Sequence, residues 1–280
     1  MKIGKLVLAV CMGLAMLGQA EAKEWTHVTL ATEGAFPPWN STKPDGSLEG
    51  YEIDLYKDLC RRMNVECTMV TQAWDGIIPA LLAGKFDAIM SGMSATAKRE
   101  KVISFSESYG TTGQTFAVAR GSDLEKMPHF GEVFSLETEL PQAEKAVEDI
   151  KPFLKGKIVG VQTASIASVF LDKYLKDTVE IREYKATEQH DLDLLAGRVD
   201  LIMASMAYLS TAAAKEGNGD MVVAGPRFQR GILGRGSSIG LRKEDTDLRD
   251  MFSKAIAEAK ADGTIKKLSD KWFGFDVTPH

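Results

Sequence analysis

Residues 81–90 read LLAGKFDAIM, and 113 positions later residues 194–203 read LLAGRVDLIM. Each copy has the pattern of a helix end, a glycine cap, a turn and a short apolar run suited to a buried strand. One such turn is common. Two near-identical copies in one chain suggest two similar α/β lobes. Ahead of the first copy, His27–Thr32 is strand-like, and Tyr51–Met63 is helical with Ile53, Tyr56, Leu59, Cys60 and Met63 on one face. Residues 68–71, 86–90, 115–119, 157–161, 221–225 and 238–241 also read as strands. Residues 74–83, 165–175, 188–196 and 205–215 read as helices.

Too little chain follows the second copy to build another complete set of elements. The last apolar stripe, Leu248, Met251, Phe252, Ala255, Ile256 and Ala259, has the spacing of a core helix. It is expected to return to the first lobe. Lobe one would then comprise residues 23–110 and 227–280, and lobe two residues 111–226, with two hinge crossings and a cleft between the lobes. Residues 125–155 are charged and turn-rich, and read as a surface excursion with one helix over 142–154.

The first 22 residues are set apart from this pattern. Lys2 and Lys5 precede an apolar run over residues 6–17, and Ala20-Glu21-Ala22 is an A-x-A cleavage site. These are the parts of a secretory signal cut after Ala22. The run is shorter than the ~20 residues a membrane span needs. Loss of two lysines and one glutamate would move the formal charge from −5 to −6. Cys11 would leave with the signal, so two of three cysteines remain. In an exported protein, Cys60 and Cys67 suggest one local disulfide from the end of a helix to the next strand, with two buried thiols as the alternative.

At 280 residues, 44% hydrophobic and 26% charged, the chain has an ordinary globular composition of one large or two medium domains. The acidic excess argues against nucleic acid as a partner. No H-E-x-x-H, P-loop or G-x-G-x-x-G occurs, so no metal and no cofactor is expected. His190 reads as a capping or surface residue. Gly236-Ser237-Ser238-Ile239-Gly240 matches G-x-S-x-G, but its serine opens a strand where a nucleophile elbow needs a strand behind it and a helix ahead.

Ligands in open α/β sheets bind beyond the carboxyl ends of the strands. Those ends carry Glu33, Ser91-Gly92-Met93-Ser94, Gln162 to Ser165, and Ala204-Ser205, two in each half of the chain. This pattern suits a small polar ligand in an interlobe cleft. Arg99, five residues after Ser94, could grip a carboxylate with its planar fork, or could simply be solvated. Glu33, near Phe36 and Trp39, could receive a cation, or could be a surface acid beside aromatic core. Trp74 is equally open.

Longer motifs narrow the choice. Gly50-Tyr51-Glu52-Ile53-Asp54-Leu55, Phe86-Asp87-Ala88-Ile89-Met90-Ser91, the run from Ser94 to Arg99, and Gly240-Leu241-Arg242-Lys243-Glu244-Asp245 resemble the periplasmic solute-binding proteins for polar and basic amino acids that feed ABC importers. Asp262-Gly263-Thr264-Ile265-Lys266 and Lys271-Trp272-Phe273 are similar to that family too. The resemblance spans the mature chain, including the cysteines, which are disulfide-bonded in the histidine- and lysine/arginine/ornithine-binding relatives. Within the family, residues 125–155 and 276–279 look most like octopine/nopaline-binding proteins.

The resemblance implies an α/β fold of the two-lobed periplasmic binding protein type (type II). It implies a monomer that captures an amino acid or opine in the periplasm, closes, and delivers it to an inner-membrane ABC permease without catalysis. Arg99, Ser94 and the Ser91-Gly92 backbone would hold the α-carboxylate. Glu33 would face the distal cation, walled by Phe36 and Trp74. Gln162, Ser165 and Ser205 would close from lobe two, with Gln114 near a crossover. Where typical amino-acid binders carry an Asp for the α-ammonium, this chain has Ser205, which favours a substituted amine such as an opine. A periplasmic enzyme on the same scaffold, similar to cyclohexadienyl dehydratase, is the alternative.

Overall fold

A computed structural model describes residues 24–279; the expected signal over residues 1–22 lies outside the described residues. The first sheet has the strand order Glu66–Thr71, His27–Thr32, Ala88–Ile89, Ser237–Leu241, Ser104–Gly110. The second runs Glu180–Tyr184, Ile158–Gln162, Leu201–Ser205, Gln114–Ala119, Met221–Gln229, Val133–Ser135. Both begin with three parallel strands and continue into an antiparallel one. The two copies of the repeat supply the third strand of each, Ala88–Ile89 and Leu201–Ser205. Short strands Ala35–Phe36, Asn40–Thr42 and Leu48–Glu49 form a small third sheet beside the first lobe.

Local chemistry accounts for the main elements. His27–Thr32 lies between two parallel neighbours, and Val28, Leu30, Ala31 and Thr32 are fully buried there. Tyr51–Met63 has Glu52 and Asp54 in its first turn and Arg61 and Arg62 in its last, which complements the helix dipole. It stops at Asn64, whose left-handed conformation caps the helix with an N–H to the Arg61 carbonyl. Thr246–Ala261 buries Leu248, Phe252, Ala255, Ile256 and Ala259 in the same cluster as Val28 and Leu30.

Several elements differ from expectation. The boundary placed at 226/227 falls inside Met221–Gln229, which bulges between Ala224 and Phe228. Leu233 still packs in the second core, and the chain enters the first sheet at Ser237. Residues 125–155 are more than a surface excursion, because Leu140–Leu154 buries Ala143, Ala146, Val147, Ile150 and Leu154 in that second core. Residues 74–83 split into a 3-10 turn at Trp74–Gly76 and a helix at Ile77–Leu82. His190 lies within Thr187–Leu195, fully buried, with its ring edge against Tyr184 and Tyr208. A surface or capping role for it is therefore overturned. Ser238 is buried inside the Ser237–Leu241 strand, so the G-x-S-x-G match is no elbow.

Cys60 and Cys67 are disulfide-bonded, joining the end of the Tyr51–Met63 helix to the start of the Glu66–Thr71 strand. That is the opposite end of the strand from the cleft. Replacing both by serine is expected to lower stability by about 2–3 kcal/mol, since the closed loop is short. Ligand affinity should stay the same. Thermal unfolding and calorimetry on one sample check both parts.

Candidate functional site

The carboxyl ends of the central strands meet between the lobes. There Glu33, Phe36, Trp74, Ser91, Gly92, Ser94, Arg99, Gln114, Gln162, Ser165 and Ser205 all line one cavity. The structure therefore brings together the residues that the sequence proposed for ligand contact.

On the first lobe, neighbouring parallel strands place Glu33 and Ser91 side by side, and the Glu33 N–H donates to Ser91 Oγ at 2.8 Å. Thr96 caps the short Ala97–Glu100 helix through the Arg99 N–H and so sets where Arg99 starts. The Arg99 guanidinium donates to the carbonyls of Ser94 (3.0 Å) and Ala164 (3.1 Å) and lies 5.1 Å from the Trp74 ring centroid. Burial lowers its pKa to about 10. Among the described residues its contacts are thus carbonyls and an aromatic face, an incomplete shell for a desolvated cation.

On the second lobe, Ser165 and Ser205 are the N-caps of Ile166–Tyr174 and Met206–Ala214, accepting from the N–H groups of Ser168 and Tyr208. A hydroxyl that accepts keeps its proton, so both can still donate to a ligand. Ser94 differs, because its hydroxyl donates to the Leu233 carbonyl at 2.7 Å. The Gly92 N–H is likewise directed away from a ligand, to Glu52 at 2.7 Å. In this arrangement the donors that still face the cavity are Arg99 and groups of the second lobe.

The lobes are closed upon each other. Gln162 Nε2 donates to Glu33 at 2.7 Å, Trp74 Nε1 to the Thr163 carbonyl at 3.1 Å, and Thr187 Oγ1 to the Ala35 carbonyl at 3.1 Å. Phe36 stacks on Tyr208 with centroids 5.1 Å apart. Burial raises the Glu33 pKa to about 7; Gln162 opposes the rise and Asp75 adds to it. Gln114 stands at the crossover that leads from Ser104–Gly110 into the second sheet.

Sequence reasoning missed Arg230, Gln229, Thr187 and Thr112, which also line the cavity. Arg230 is a non-glycine residue at φ +65°, held just beyond the Met221–Gln229 strand. The rule that found Gln162 and Ser205 would have found it, had the strand been read past Gly225-Pro226.

Comparison with known proteins agrees with this geometry. The family model for bacterial extracellular solute-binding proteins, family 3, matches residues 28–275. The octopine-binding periplasmic protein of Rhizobium meliloti is 45% identical, covering 99% of this chain and 100% of its own. The histidine-binding periplasmic protein of Escherichia coli K12 is 34% identical over 98% of each. A solved ancestral arginine-binding protein bound to arginine superposes with a TM-score of 0.74 at 31% identity, over 89% of this chain and 99% of that one.

Proposed function

The chain belongs to family 3 of the bacterial extracellular solute-binding proteins, and on that premise we propose that its cleft captures an arginine-derived opine, or else a basic amino acid. Its role is substrate binding in amino-acid transport. We place the mature protein in the periplasm, as a monomer that hands its ligand to an inner-membrane ABC permease by lobe closure. It performs no catalysis in this reading. Among the described cavity-lining residues, Glu33 is the one carboxylate, and the second lobe supplies amides, hydroxyls and Arg230.

The charge layout of the cleft carries the ligand class. Among the described residues, two cations, Arg99 and Arg230, and one acid, Glu33, line it, and Ser205 is neutral. Free arginine brings two cationic groups and one carboxylate. Its α-ammonium would enter a closed cleft with no acid at Ser205, at a cost of several kcal/mol. An opine joins arginine through its α-nitrogen to a keto acid, and so adds a carboxylate. That carboxylate offsets the amine within the ligand and suits a second arginine. Arg99, with the Ser165 hydroxyl, would hold one carboxylate and Glu33 the guanidinium, walled by Phe36 and Trp74.

Calorimetry of the mature chain against octopine, nopaline, arginine, lysine, histidine and glutamine tests this. Tight binding of an opine is expected. Tight binding of arginine with none for either opine overturns the opine assignment. Ser205→Asp sharpens the result. Aspartate caps a helix as well as serine does, so the Met206–Ala214 helix should stand. Arginine affinity should rise roughly tenfold to hundredfold, the scale of one charged hydrogen bond. Opine affinity should fall.

A further inference from the structure

The two first-lobe loops that face the ligand are tied together from behind by one buried acid–amide pair. Gly34, next to Glu33, has φ +73°, and Gly92, next to Ser91, has φ +59°. A side chain is strained at either position, and a Cβ on Gly92 would come within 3.1 Å of the Phe36 ring. These turns direct both amides into the lobe. The Gly34 N–H donates to Asn40 Oδ1 at 2.8 Å, and the Gly92 N–H donates to Glu52 Oε1 at 2.7 Å. Asn40 Nδ2 donates to Glu52 Oε2 at 2.7 Å, and the Tyr109 hydroxyl donates to Glu52 Oε1.

Asn40, Glu52 and Tyr109 are fully buried. Among the described residues the carboxyl group of Glu52 has hydrogen-bond donors around it and no cationic partner, and burial raises its pKa. An acid in such a place costs folding free energy unless its bonds are satisfied, so it is an expensive way merely to fill space. Its bonds lead to Gly92 directly and to Gly34 through Asn40.

We propose that Glu52 is a positioning residue for ligand recognition. With Asn40 it fixes the spacing between the Glu33 loop and the segment from Ser91 to Arg99, and so selects ligands by the length between their cationic and carboxylate ends. The proposal rests on reading those segments as the two ligand-holding ends of the first lobe.

Glu52→Gln tests it with little change of size. One acceptor becomes an NH2. Turned one way, that NH2 meets the Gly92 N–H; turned the other, it meets the Asn40 NH2, because the Asn40 oxygen is engaged by Gly34. Binding of octopine, arginine and glutamine is measured by calorimetry, and deuterium uptake of the Gly34 and Gly92 segments is followed without ligand. The expected results are faster uptake at both segments, an affinity loss of about tenfold or more in the folded protein, and a flattened preference between long and short ligands. Asn40→Ala releases Gly34 and leaves Glu52 on Gly92. It should flatten the preference with a smaller loss of affinity, and it serves if Glu52→Gln does not fold.

A purely structural role would lower the melting temperature and leave affinities and ligand ranking of the folded protein within twofold, which overturns the proposal. If the wild type binds none of the three ligands, the ligand-class reading fails. Uptake then decides the tie by itself: unchanged exchange at Gly34 and Gly92 overturns it, and faster exchange upholds it.

Discussion

Arg99→Ala should remove most of the protein's affinity for its ligand while leaving the fold intact. The Arg99 guanidinium is desolvated, lies over the Trp74 ring, and donates to the carbonyls of Ser94 and Ala164. Neutral carbonyls compensate a buried cation only in part, whereas a carboxylate held by two parallel bonds does so far better. Deleting one partner of a buried, hydrogen-bonded charge pair costs roughly 2–5 kcal/mol, about thirtyfold to several thousandfold in Kd. Without ligand the substitution removes an incompletely compensated cation, so the melting temperature should hold or rise. The ligand-induced rise in melting temperature should vanish with the affinity. Arg99→Lys should not restore binding, because an ammonium lacks the planar fork that holds a carboxylate by two parallel bonds. Binding within threefold of wild type in Arg99→Ala would refute this role. The Ser94 carbonyl is on the first lobe and the Ala164 carbonyl on the second, so the variant also reports on closure. Its apo form should show a larger radius of gyration by small-angle scattering.

The sequence told most about places where local chemistry and tertiary role coincide. The central strands are buried on both faces, so their apolar runs were plain, and the glycine caps before Ala88–Ile89 and Leu201–Ser205 exposed the two-lobe plan. Strand ends then located Glu33, Ser91, Gln162 and Ser205. Other features had no local signature. Glu52 is on the buried side of an amphipathic helix, but a carboxylate there reads as solvated until Gly92, Asn40 and Tyr109 are seen around it. His190 is hidden for the same reason, since its polarity conceals that it faces Tyr184 and Tyr208. Arg230 follows a bulged strand interrupted by Gly225-Pro226, so alternation gave no count to its end. The small Ala35–Phe36, Asn40–Thr42, Leu48–Glu49 sheet is made of strands too short for any period, yet it carries Phe36 to Tyr208.

Affinity for a guanidinium ligand should rise with pH through neutrality, with Glu33 as the cause. In the closed, ligand-free arrangement, burial holds its pKa up at about 7, with Asp75 pushing the same way and Gln162 opposing. A guanidinium against Glu33 stabilises the anion, so the bound state has a lower pKa than the free state. Affinity is then complete above about 7 and falls as the pH drops below it, approaching about tenfold per pH unit until the bound-state pKa is reached. Near pH 7 binding should release about half a proton, measurable as buffer-dependent calorimetric heat. Glu33→Gln should flatten the profile. At pH 8 it should weaken arginine-type ligands by about 2–3 kcal/mol, roughly thirtyfold to hundredfold, and glutamine much less. Stability without ligand runs the other way. A carboxyl whose pKa is higher in the folded chain than its ordinary value of 4.5 favours folding while protonated, so stability declines as pH rises from 4.5 to about 7. Glu33→Gln should remove that decline and melt higher than wild type at pH 8. A variant that binds more weakly yet stands firmer would identify Glu33 as an acid kept under strain for its ligand. Loss of affinity with no change in pH profile or melting temperature would instead mean that Glu33 acts by shape alone.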